Sequence, residues 1–119
     1  MISALHTAAS GLQAHSQTMN VTANNIANVN TQDYTAKSAA LAERQPSGVK
    51  VAAVMDTQTP PHVRSSYSNP ESYVAERMSN VALGTEKMNE ITSLRAYQAN
   101  ANAVHTADEM LGTLVNMKA

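Results

Sequence analysis

The sequence contains no cysteine, no tryptophan and no phenylalanine. Without cysteine there are no disulfides and no thiolate metal sites, and the redox compartment is left open. Four tyrosines are the whole aromatic content, so side chains able to bury about 150 Å² or more are scarce. Hydrophobic residues make up 43 % of the 119 positions, and much of that share is alanine. A core of Ala with a few Leu and Met buries little area per residue, so the folded monomer is expected to be marginal and to draw stability from association. The length allows a single domain, residues 1–119.

Charge is sparse as well. Only 14 % of residues are charged and the formal net charge is −1, which leaves no clustered basic face for nucleic acid. No apolar run approaches the roughly 20 residues of a membrane span, so no membrane insertion is expected. The opening Met1-Ile2-Ser3-Ala4-Leu5-His6 has neither a basic n-region nor a continuous apolar stretch, and no cleavable signal peptide is expected. His6, His15, His62 and His105 are scattered, with no two at the i,i+4 spacing of helical metal pairs. His105 and Glu109 do stand at i,i+4, which reads as a surface pair rather than a ligand pair. There is no Gly-rich phosphate loop and no nucleophile elbow. The expectation is a structural or interaction protein: not an enzyme, with no cofactor, no metal and no small-molecule substrate.

What the sequence does have is helical periodicity at both ends. From Glu86 to Ala119 there is no proline and a single glycine, Gly112. Ile91, Leu94, Tyr97, Ala101, Val104, Leu111, Leu114 and Val115 recur at a period between about 3.5 and 3.6. Such a helix is roughly 50 Å long, too long to be covered along its length by so small a chain, and it needs a partner. At the other end Leu5, Leu12, Met19 and Ile26 are spaced by seven, with Ile2, Ala9, Ser16 and Ala23 in the complementary position. This is an a/d seam with large residues on one side and small ones on the other. The fold expected is therefore mainly α: N-terminal (1–30) and C-terminal (81–119) helices packed as an antiparallel coiled-coil-like pair, with a loop and short-strand excursion over 31–80.

Within the excursion, Tyr34 to Glu43 reads equally as extended chain or short helix. Gln45-Pro46-Ser47-Gly48 is a turn, Val49 to Met55 a short strand and Thr59-Pro60-Pro61-His62 extended. Ser65 to Pro70 reads as loop and Tyr73-Val74 as a second strand, while Asn69-Pro70-Glu71 offers a rival helix start. Asn24, Asn25, Asn28 and Asn30 close the first helix, since Asn competes for backbone bonds and tolerates left-handed conformations; the cluster is expected to act as a plain C-cap.

Two stretches carry more than periodicity. Residues 10–34, SGLQAHSQTMNVTANNIANVNTQDY, resemble the N-terminal signature of bacterial flagellar rod, hook and hook-associated proteins, with its Ala-Asn-Asn-Ile-Ala-Asn pattern. Residues 94–117, LRAYQANANAVHTADEMLGTLVNM, resemble the matching C-terminal signature. The middle, with Gly48-Val49-Lys50-Val51, Pro60-Pro61 and Asn69-Pro70 before Tyr73-Val74, is similar to the proximal rod branch. One departure is Asp33, where the family usually has Gly before the aromatic. The resemblance implies a structural subunit of the basal-body rod, self-assembling through its terminal helices into the drive shaft that links rotor to hook. It implies export through the flagellar type III apparatus, a periplasmic location, and other rod subunits and itself as partners. It places packing and subunit contact at Leu12, Ile26, Asn28, Arg95, Tyr97, Gln98 and Leu111, beside the periodic Leu5, Met19, Ile91, Leu94 and Val104. The rival reading is a small soluble helical adaptor or export chaperone, which has no need of a strand-bearing middle.

Overall fold

The computed structural model describes residues 2–69 and 72–118, with backbone only for Ile2, 66–69, 72–75 and Lys118. Six elements follow in order: α1 (Ile2–Ala27), β1 (Lys37–Glu43), β2 (Val49–Asp56), β3 (Val63–Asn69), β4 (Ser72–Arg77) and α2 (Leu83–Lys118). The mainly α architecture expected from the two periodic ends is the one observed. The molecule is long and thin, 86 × 23 × 14 Å. Its radius of gyration of 21.3 Å compares with about 14 Å for a compact globule of this length.

α1 and α2 run side by side and antiparallel. Gly11 sits against Asn100, so close that a Cβ on Gly11 would lie 2.7 Å from the Asn100 amide nitrogen. That contact sets the register of the pair. At this register Ile2 is level with Glu109, and the rest of α2 reaches past the start of α1. The overhang is where apolar side chains are most open: Val115 is 69 % and Met117 83 % exposed.

The excursion forms two separate antiparallel hairpins, β1–β2 and β3–β4. β1 and β2 pair from Lys37 opposite Asp56 to Glu43 opposite Val49, with an irregularity at Ala40/Leu41. Their tight turn returns through Gly48, whose φ of 114° suits glycine. Gly48 also lies directly over Ser10, leaving no room for a side chain. The hairpin is thus seated on α1, where the Val49 amide donates to Ser10 Oγ at 3.1 Å.

Two expectations for the middle change. Lys37–Glu43, ambiguous in sequence, is a strand. Ser65–Asn69, read as loop, belongs to β3. β3 has no apolar alternation to announce it; its order comes from the ladder with β4, running from Val63 opposite Arg77 to Asn69 opposite Ser72, and ladder pairing leaves no periodic trace in one strand alone. The rival helix start at Asn69-Pro70-Glu71 involves Pro70 and Glu71, outside the described residues; from Ser72 the chain is strand.

Among the described residues the buried hydrophobic side chains are Ala8, Ala14, Ala36, Val81 and Ala107. Four alanines and one valine remove little apolar surface from water. The isolated chain is therefore expected to gain helicity with concentration. Far-ultraviolet circular dichroism followed over about a hundredfold dilution checks this, since association stabilises by mass action. A signal flat across that range, with a sharp monomeric melt, contradicts it.

Candidate functional site

The contact between the helices is built from small and polar side chains. On α1 the buried positions include Ala8, Gly11, Thr22 and Asn25, with His15 and Thr18 half-buried between them; Gly11 is seen directly against Asn100 of α2. On α2 the facing positions are Glu86, Ser93, Asn100 and Ala107, spaced by seven, with Glu90, Tyr97, Val104 and Leu111 half-buried beside them. Both helices carry a heptad. That of α1 is displaced by one residue, about 100° round the helix, from the Leu5, Leu12, Met19, Ile26 series. Those four are half-buried at the margin of the pair. Small residues occupy the centre because they let the two backbones approach closely, which the larger side chains would prevent.

The remaining residues singled out in the sequence divide by exposure. Tyr97, Val104 and Leu111 are half-buried along the contact, as is Asn28 at the end of α1. Ile91 (54 % exposed) and Leu94 (44 %) face outward, as do Arg95 and Gln98. Ile91 and Leu94, with Leu83 and Met88, form an apolar stripe on α2 that stays exposed among the described residues. His105 and Glu109 form the surface pair expected, 3.5 Å apart with both side chains open to solvent.

The asparagines behave differently from one another. Asn24 and Asn28 bond locally: their Nδ2 groups donate to Asn20 O at 2.8 Å and Asn24 O at 2.9 Å, one turn back. Asn25 is fully buried and bonds across the structure. Its Nδ2 donates to Lys37 O at 2.7 Å, and its Oδ1 accepts from Lys37 N at 2.9 Å and from the Tyr34 hydroxyl at 3.1 Å. Asn25 thus replaces a strand partner for Lys37 and ties β1 to α1. Asn80 does the same for the other connections, accepting from Ala36 N at 2.6 Å and donating to Thr59 O at 2.7 Å. Between them the backbone turns through Asp33, whose φ of 57° is left-handed. That conformation is easiest for Gly and tolerated by Asp, which explains how Asp33 stands where the resemblance leads one to expect glycine.

Tyr34 joins this cluster. Burial raises its hydroxyl pKa above 10.0, and the carboxylates of Glu86 and Asp56 push the same way. The folded state therefore favours the neutral hydroxyl. Stability from this source is complete below the unfolded tyrosine's pKa and is lost as pH rises through the higher folded value. Tyr34→Phe is expected to cost about 1 kcal/mol, the worth of one hydrogen bond, and to weaken the alkaline loss. Urea melts of both proteins at neutral and alkaline pH measure the difference; an equal alkaline loss in the variant contradicts the assignment.

The described part of the molecule offers no helix long and apolar enough to cross a membrane. Its distinctive feature is a narrow helix pair built from the two chain ends, with an open apolar stripe. Comparison with known proteins falls on those same ends. Residues 5–35 match the family described as flagella basal body rod protein. Residues 75–117 match the C-terminal region of the flagellar basal body rod FlgEFG proteins. The chain is 34 % identical to the flagellar basal-body rod protein FlgC of Yersinia enterocolitica, with 87 % of each chain covered. Identity and coverage are the same for FlgC of Salmonella typhimurium. FlgC of Buchnera aphidicola from Acyrthosiphon pisum is 30 % identical over 93 % of each chain. The chain belongs to the flagellar basal-body rod protein family.

Proposed function

We propose that this chain is a structural subunit of the flagellar basal-body rod, assembling with copies of itself and with other rod subunits through its terminal helices. The observation that carries the reading is an overlap. The segments matching the rod families, 5–35 and 75–117, contain nearly all of α1 and α2, which fold against each other. Their pairing leaves Leu83, Met88, Ile91 and Leu94 exposed on one flank and Met110, Leu114, Val115 and Met117 on the overhang. A neighbour covering these residues supplies the burial that the alanine core lacks. The positions proposed to meet neighbours are Leu5, Leu12, Met19, Ile26, Ile91, Leu94, Arg95, Gln98 and the overhang.

In this reading the subunit leaves the cytoplasm through the flagellar export apparatus without a cleaved signal and joins a periplasmic helical tube that transmits torque. Its work is mechanical, carried by interlocked helices, with no reaction to catalyse. The structured hairpins give it lateral surface that an adaptor or export chaperone has no use for. Deletion of the coding sequence, followed by a motility assay and electron microscopy of isolated basal bodies, tests the proposal. The expected result is non-motile cells whose basal bodies lack a complete rod. Motile cells with intact basal bodies would overturn it.

A further inference from the structure

The face of α2 that α1 covers does not stop where α1 stops. Met110, Leu114 and Met117 follow the buried Ala107 at steps of three, four and three, in one line along the helix. In the register set by Gly11 and Asn100, α1 begins level with Glu109. The line therefore continues the helix contact without its cover, and its three side chains are 46 %, 49 % and 83 % exposed. From Met110 to Met117 there is no charged residue, so burying this end desolvates no charge. The segment that carries the flank stripe differs, with Lys87, Glu90 and Arg95 among its apolar residues.

A place for this end exists at the opposite end of the helix pair. A groove of about 740 Å³ lies between α2, the last turns of α1 and the β1–β2 hairpin. Thr85, Asn89 and Ser93 line its α2 side, and Val21, Ala39 and Met55 give it apolar walls. Its α2 side, from Thr85 to Ser93, is about 12 Å long, and the line from Met110 to Met117 about 11 Å. Methionine at both ends of that line suits irregular apolar walls. Three walls admit the side of one helix and not the paired body, so the unpaired end of α2 is the segment that fits.

No chain fills its own groove, because Leu114 and Asn89 are 25 positions apart, about 38 Å along one helix. A second copy shifted by that distance, with its α2 parallel, lays its overhang there. The 26 residues of α1 are about 39 Å long. The same shift thus sets the two helix pairs end to end instead of driving them into each other.

We infer that the groove receives the Met110–Met117 end of a second copy's α2. Each copy offers one helix end and one groove, at opposite ends, so the contact does not close on itself. The inference rests on the rod-subunit reading and adds to it the two surfaces that meet and their offset.

Cross-linking between full-length chains tests the contact, made clean by a sequence without cysteine. Leu114→Cys protein is mixed with Asn89→Cys protein and, separately, with Ile91→Cys protein. One partner in each mixture carries a tag, so that heterodimers and homodimers separate by size. Ile91 stands at almost the same level of α2 but on its outer flank, 54 % exposed. After mild oxidation of concentrated protein, the mixture with Asn89→Cys should give several-fold more heterodimer than the mixture with Ile91→Cys. Equal yields, a preference for Ile91→Cys, or no heterodimer in either mixture overturns the inference. Leu114→Glu, which puts a charge into the line, should raise the concentration needed for association several-fold; unchanged association also overturns it. Should the contact fail while gene deletion still abolishes motility, the rod reading stands without it.

Discussion

Asn25→Ala is expected to destabilise the fold by about 3 kcal/mol, the largest effect of any polar substitution in the chain. The amide is fully buried and meets both backbone groups of Lys37 and the Tyr34 hydroxyl. Truncation leaves those part-buried groups without their protein partner, and each orphan costs about 1–3 kcal/mol. β1 would lose its tie to α1, and the first hairpin would hold to the helix chiefly through Ser10 and Thr7. Asn24→Ala, one residue away, removes an exposed bond to Asn20 and should stay within about 0.5 kcal/mol of the parent. Thermal melts in a stabilising osmolyte, which strengthens burial enough for a marginal chain to be measured, give the comparison. Equal melting of the two variants would mean that the Asn25 cluster holds nothing together.

Gly11→Leu is expected to break the helix pair. A Cβ at Gly11 already meets Asn100, with its Oδ1 and Nδ2 both 2.7 Å away, and the rest of a leucine would have to displace α2. Overpacking of this kind costs about 1–3 kcal/mol, and here it falls on a contact that sets the register of the whole pair. Gly112→Leu is the control. Nothing lies within 4 Å of a Cβ at that position, and glycine inside a helix is about 1 kcal/mol worse than a good helix former. The second change should raise helicity in isolated protein while the first lowers it. Circular dichroism of the two proteins at equal concentration separates the cases, and a Gly11→Leu variant as helical as the parent contradicts the close approach.

Much of the architecture was legible because helices of this length leave a periodic trace. The unbroken run after Glu86 and the sevenfold spacing of Leu5, Leu12, Met19 and Ile26 announced two long helices that need each other. The trace pointed to the large residues, however, and the buried positions of α1 include Ala8, Gly11, Thr22 and Asn25 on the adjoining face. Small residues carry almost no hydrophobic signal, so a pattern search passes over them even where, as at Gly11, a side chain of the facing helix packs onto the backbone. The clue available was the heptad Glu86, Ser93, Asn100, Ala107, which a search limited to apolar positions ignores. β3 was missed for a related reason: its residues are mostly polar, and its order is held by β4 rather than by its own sequence. Asn25 was missed because a turn of asparagines reads locally as a cap, and Asn80 because a lone asparagine carries no pattern. Their partners at Lys37, Ala36 and Thr59 are known only once the chain is folded.

Within each subunit the chain ends pair antiparallel through small residues, leaving the large apolar side chains for neighbours. A density map of the rod in isolated basal bodies, at a resolution that separates side chains, tests it most directly. It should show Gly11 against Asn100 of the same subunit, with Ile91, Leu94, Leu114 and Val115 covered by adjacent subunits. Helices that diverge within the subunit and pair only with other chains would contradict it.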